Sequence, residues 1–213
     1  MTQLVVQGLL FDLDGTLVDS TASVERNWQK LAAGIDMPWE DIADWIHGIP
    51  VRQVLARLRP DMDPDEIEHW HQFMFEAEST DTGDVMPIPG AIESLDHLPL
   101  NRWAIVTSGG VRLATSRMRA AGLPQPKYLV TADDVSLGKP DPAPYLMGAQ
   151  KLGVPPAQCL AFEDAPAGVA SAQAAGVPVI GIATNHRDLG VPMVRNLTEV
   201  EFSADRLGVI VTY

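Results

Sequence analysis

The feature that most restricts the fold of this chain lies in its second half, where short apolar runs alternate with helical segments. RWAIVTSGG (102–110), YLVTADD (128–134), QCLAFED (158–164) and VPVIGIAT (177–184) read as strands. Between them, VRLATSRMRAAG (111–122), DPAPYLMGAQKLG (141–153) and APAGVASAQAAG (165–176) read as helices. Gly122 stops the first of these, and the second carries prolines in its first turn. Near the N-terminus, LVVQGLLF (4–11) reads as a further buried strand. Strands separated by helices run parallel, with helices over both faces. The expected class is α/β. The tail EFSADRLGVIVTY (201–213) reads as a short helix followed by a strand.

Residues 20–85 have a different texture. Val24, Trp28 and Leu31 share one face of a helix that starts after Asp19 and Ser20, either of which can cap it. Further helices are expected over 39–47, 51–59 and 65–78, with two prolines punctuating ARLRPDMDPDE. No strand pattern occurs in this block. Trp28, Trp39, Trp45 and Trp70 are expected to form its core rather than a platform for stacking a ligand. Two units follow: a core of residues 1–19 and 86–213, and a small all-helical cap, 20–85, inserted after the first strand. Ligands of open parallel sheets bind beyond the carboxyl ends of the strands, so such an insert stands over the site like a lid.

Charge narrows the partners. The formal net charge is −13, which argues against a nucleic-acid backbone. Residues 20–85 carry 14 acidic against 5 basic side chains, a net of −9, so bulk field there does not grip a highly anionic molecule. No apolar run approaches the ~20 residues that span a bilayer. MTQLVVQG has no basic region and no small-residue cleavage site, and Cys159 is the single cysteine. A cytoplasmic protein with a buried, inert thiol is expected, as a monomer or weak homodimer and without membrane partners.

Polar groups punctuate the ends of the strands. Asp12 and Asp14 follow the first apolar run, and strand period puts both on one side. Two such carboxylates repel unless a cation or a shared proton compensates. Thr107 and Ser108 end a second strand, Glu163 and Asp164 a third, and Lys139 precedes a helix. Brought to one sheet edge, these groups offer several carboxylates, a lysine and a hydroxyl. Carboxylates with water suit Mg²⁺, and the lysine, hydroxyl and backbone N–H groups suit a phosphate.

In this order DLDGTLVDS, VTS, GKP and FEDAPAG resemble the four motifs of the haloacid dehalogenase superfamily, over essentially the whole chain. DSTASVERNW, WIHG, PIPGA and VTSGG are similar to its sugar- and polyol-phosphate phosphatases, the 2-deoxyglucose-6-phosphatase, glycerol-phosphatase and hexitol-phosphatase-like group. The resemblance implies a Rossmann-like core and a Mg²⁺-dependent phosphomonoester hydrolase acting on a small-molecule phosphate ester. It implies Asp12 as nucleophile, forming an aspartyl-phosphate and so dividing one hard step into two. It implies that Asp14 protonates the leaving alkoxide, activates water, and binds the metal through its backbone carbonyl. Asp164 is the implied second metal carboxylate or a helix N-cap, with Glu163 a ligand or an outer partner. Thr107 and Ser108 are expected to hold phosphoryl oxygens, and Lys139 to offset charge. His47 and Arg52 of the cap are candidate substrate contacts; His69, His71, His97 and His186 are expected to be structural or solvent-facing. Two alternatives share the motifs. A β-phosphoglucomutase-like phosphotransferase carries a cap histidine where this chain has Val24, and a non-catalytic phosphate-binding protein would usually have lost Asp12 or Asp14.

Overall fold

The apolar run at the N-terminus divides in two. The computed structural model describes residues 2–46, 50–206 and 208–213. β1 (Gln3–Val6) and β2 (Gly8–Phe11) belong to different sheets, which corrects the expectation of one strand over 4–11. Burial explains the division: β1 keeps an exposed face, whereas all four residues of β2 are buried. At the junction the Gln7 N–H donates to the Gln158 carbonyl (2.8 Å), and a Cβ at Gly8 would meet Leu152 Cδ1 at 2.8 Å.

After β2 the chain forms β3 (Val18–Asp19), then α1 (Thr21–Gly34), α2 (Trp39–Ile42), α3 (Val51–Leu58) and α4 (Pro64–Thr80). It returns through β4 (Met86–Pro87), which pairs antiparallel with β3. Helices and strands then alternate as α5 (Ala91–His97), β5 (Trp103–Val106), α6 (Val111–Ala120), β6 (Leu129–Val130) and α7 (Ala143–Leu152). The series continues with β7 (Cys159–Glu163), α8 (Pro166–Ala174), β8 (Val179–Ile182), β9 (Met193–Val194), β10 (Glu201–Ala204) and β11 (Val209–Thr212).

Six strands form a parallel sheet in the order β6-β5-β2-β7-β8-β9, the α/β architecture expected. Both faces are apolar and the strand period sorts them. Phe11, Ile105 and Phe162 face one way, with Leu95 of α5 and Met118 of α6 over them. Leu10, Val106 and Ala161 face the other, under Tyr145 of α7 and Val169 of α8. The Phe11 and Phe162 rings stack with centroids 5.1 Å apart. Complete burial of each contributes about 1.5–3 kcal/mol relative to exposure. Cys159 is fully buried, and burial pushes its thiol up to about 11, which fits an unreactive core residue.

The tail departs from expectation. EFSA is strand β10, not a helix, and with β1 and β11 it makes a three-stranded antiparallel sheet. Weak helical preference in these four residues yields to a ladder along β11.

The helices α1 to α4 pack around their own cluster, with Trp28, Leu31, Ile42, Leu55 and Met74 buried in it. Trp39, Trp45 and Trp70 are partly buried against this cluster, as expected of core residues. The helix expected over 39–47 is shorter: α2 ends at Ile42 and a 3₁₀ turn, Ala43–Trp45, follows. Arg112 of α6 meets Glu76 of α4 at 2.6 Å, one tie between the helical layer and the sheet unit. Among the described residues no helix is long and apolar enough to cross a membrane.

Candidate active site

β2 ends at Phe11, so Asp12 already lies beyond the sheet and the strand-period argument for Asp12 and Asp14 fails. The backbone turns instead. Gly15 takes φ +86°, open to glycine at no steric cost, and its N–H donates to the Val18 carbonyl at 2.7 Å. A Cβ there would also stand 2.0 Å from Asp164 Oδ2, so the backbone of this turn lies directly against the Asp164 carboxylate.

Lys139 enters from the loop before α7 and is buried. Its Nζ donates to Asp12 Oδ1 (2.5 Å), Glu163 Oε1 (2.6 Å) and the Val106 carbonyl (2.9 Å). Tyr145 O–H also donates to Glu163 Oε1 (2.7 Å), while Glu163 Oε2 accepts from the N–H groups of Asp164 and Ala165. Both oxygens of Glu163 are thereby engaged by protein donors. Asp164 Oδ2 accepts from Asn185 Nδ2 (2.8 Å). Asp164 is not the side-chain cap of α8; the N-cap is Ala165.

Oxygens of Asp12, Glu163 and Asp164 lie within 4.8 Å of one another, all three residues buried. One ammonium faces three carboxylates. Burial, opposed by Lys139 and reinforced by Glu163 and Asp164, raises the Asp12 carboxyl well above its usual range. Burial and then Glu163 push Asp164 up to about 7. Burial alone would lower the Lys139 ammonium, but Asp12 and Glu163 outweigh it and the pKa rises, so Lys139 stays charged. Crowded, hard oxygen donors that face too little positive charge form a set that fits a divalent cation such as Mg²⁺.

Asp14 stands apart from that trio. Arg117 Nη1 of α6 lies 2.8 Å from its Oδ1, and Ser20 Oγ donates to the same oxygen at 2.8 Å. Ser20 is the N-cap of α1 by position, but its hydroxyl serves Asp14, and the Thr21 N–H goes to Asp19 Oδ1. Arg117 Nη2 reaches across to Glu78 Oε2 of α4, again at 2.8 Å.

A cavity of about 550 Å³ opens over these groups. Asp12, Asp14, Thr107, Ser108, Lys139 and Asp164 line it from the sheet unit. Thr107 is buried and its Oγ1 accepts from the Gly109 N–H (3.0 Å), which fixes the hydroxyl at the cavity floor. Arg52 lines the opposite side, where Glu68 holds its guanidinium. His47 lies outside the described residues. His71, expected to be structural or solvent-facing, also lines the cavity. Burial, then Arg52, lowers its imidazole pKa.

Sequence reasoning missed Arg117, Glu78, Tyr145 and Asn185. Asn185 had a usable signal, since it follows the strand VPVIGIAT as the other polar groups follow theirs. Tyr145 sits in an apolar helix and offered none.

Comparison with known proteins agrees with this geometry. A family model described as haloacid dehalogenase-like hydrolase matches residues 6–176. Hexitol phosphatase A of Escherichia coli (strain K12) is 45% identical over 83% of this chain and 82% of its own length. Glycerol-1-phosphate phosphohydrolase 2 of Saccharomyces cerevisiae is 35% identical over 85% of this chain and 76% of its own. The crystal structure of a hydrolase from Pseudomonas syringae superposes with a TM-score of 0.80 at 29% identity, covering 91% of this chain and 94% of that one.

Proposed function

We infer the function from one premise: the chain belongs to the haloacid dehalogenase-like hydrolases and is a phosphoric monoester hydrolase. We propose that its substrate is the phosphate ester of a small sugar or polyol and that an aspartyl-phosphate forms on Asp12. The observation that carries the reading is the buried Lys139–Asp12 pair at the floor of a cavity large enough for such an ester.

Lys139 opposes the effect of burial on Asp12, whose ionised form attacks phosphorus. Thr107 and the Ser108 N–H receive the phosphoryl oxygens. Asp14 gives its proton to the leaving oxygen and then takes one from the water that cleaves the intermediate. Asp12, Asp164 and the Asp14 carbonyl would hold Mg²⁺, which offsets charge on the phosphoryl group when bound. Glu163, its oxygens already engaged, fits the outer position that orients Lys139 and the loop after β7. Residues 1–19 and 86–213 act as the catalytic core and 20–85 as its cap, with Arg52 and His71 toward the substrate. Substrate choice follows the names of the relatives, which act on hexitol and glycerol phosphates.

Val24 lines the cavity and cannot take a proton, which favours water over a second sugar hydroxyl as acceptor. The test is a panel of hexitol, glycerol and 2-deoxyglucose phosphates, with Mg²⁺ or chelator, scored for free phosphate. Mg²⁺-dependent release from at least one ester is expected. Conversion of β-glucose 1-phosphate to glucose 6-phosphate with little free phosphate would establish the mutase instead.

A further inference from the structure

We propose that Arg117 is a positioning residue that aims the Asp14 carboxylate at the leaving oxygen, and that Glu78 of the cap holds it in place to do so. The proposal rests on the phosphatase reading above.

Three observations carry it. Arg117 is buried, its side chain 4% exposed, yet it lines the cavity. Its guanidinium spans two units of the chain, with Nη1 on Asp14 Oδ1 and Nη2 on Glu78 Oε2, both at 2.8 Å. Its Nε, also buried, has no hydrogen-bond partner among the described residues. A buried guanidinium with an unsatisfied N–H is costly, so its two ion pairs do not serve stability alone.

The geometry has a chemical consequence. Arg117 and Ser20 both engage Oδ1, which leaves Oδ2 as the oxygen of this cavity-lining residue that neither of them holds. In the first step an Asp12 oxygen bonds to phosphorus while the bond from phosphorus to the ester oxygen breaks. The proton held by Asp14 passes to that oxygen and completes the alcohol. An alkoxide cannot leave well without this proton, so a carboxylate aimed wrongly slows alkyl esters. A nitrophenolate leaves without it. Glu78 anchors the far end of the guanidinium only while α4 lies over α6, so the aim of Asp14 depends on cap position.

The experiment compares leaving groups. In Arg117→Gln, kcat/KM for glycerol 1-phosphate and 2-deoxyglucose 6-phosphate should fall about 100-fold, the scale of lost acid catalysis. For p-nitrophenyl phosphate it should fall less than about five-fold, because kcat/KM reports only steps through the first irreversible one. Glu78→Ala should show the same selectivity with a smaller loss, about ten-fold for the alkyl esters. If Arg117→Gln does not fold, the double variant Arg117→Met, Glu78→Met removes both buried charges together and carries the same expectation. Equal losses for alkyl and aryl esters, or unchanged alkyl turnover, would overturn the role of Arg117. Wild-type protein inert toward every ester would instead overturn the phosphatase reading beneath it.

Discussion

Lys139 decides how the floor of the cavity behaves. Its ammonium donates to two carboxylates and a carbonyl, and Lys139, Asp12 and Glu163 are all buried. Asp12→Asn therefore removes the attacking charge while keeping an acceptor for Lys139. Turnover should fall by a factor on the order of 10⁴ or more, with Tm shifted by less than about 3 °C. Phosphate release and a thermal melt on one sample check both halves, and retained turnover would reassign the nucleophile. Asp12, Thr107, Glu163 and Asp164 were legible in the sequence because each lies at or just beyond the end of a strand, where topology alone predicts convergence. Arg117 and Glu78 were not. Their meaning arises only when α4 lies across α6, a contact between residues 39 apart that no local pattern announces.

Among the elements, β2, β5, β7 and β8 were legible as apolar runs, and every residue of each is buried. β1 was fused with β2 because apolar sequence does not say which sheet a strand will join. β10 was missed because its four residues gain a ladder only from a partner already paired to β1. The approach of α8 to β7 was also invisible. A Cβ at Gly168 would fall 1.8 Å from Glu163 Oε1, and that carboxylate cannot swing away because Lys139 and Tyr145 hold it. Gly168→Ala is predicted to cost about 1–3 kcal/mol, the range for overpacking. Urea unfolding measures that loss, and turnover should fall with it because Lys139 shifts as Glu163 moves. A variant as stable and active as wild type would mean that α8 yields freely.

For the whole molecule, the acidic cluster sets how stability responds to pH. Asp164 is pushed from its ordinary 3.8 up to about 7 by burial, then by Glu163, and Asp12 shifts in the same direction. Between these limits the folded chain holds protons that the unfolded chain releases. Metal-free stability should therefore fall as pH rises from about 4 through 7. A cation on the same carboxylates favours their ionised form and should flatten the slope. Melts from pH 5 to 8 should show Tm falling on the order of 5 °C in chelator and much less in Mg²⁺. A rising Tm in chelator across that window would refute this account of the cluster. A further consequence lies in the β3–β4 pair, where Val18 faces Pro87 and Asp19 faces Met86. The chain leaves the sheet unit and rejoins it through one narrow neck, a single strand spacing of about 4.8 Å wide. Whatever hangs from that neck can be lengthened, shortened or exchanged while the two ends still meet. Lineages built on this plan can thus acquire new substrates by transplanting a whole module, leaving the inherited reaction chemistry untouched beneath it.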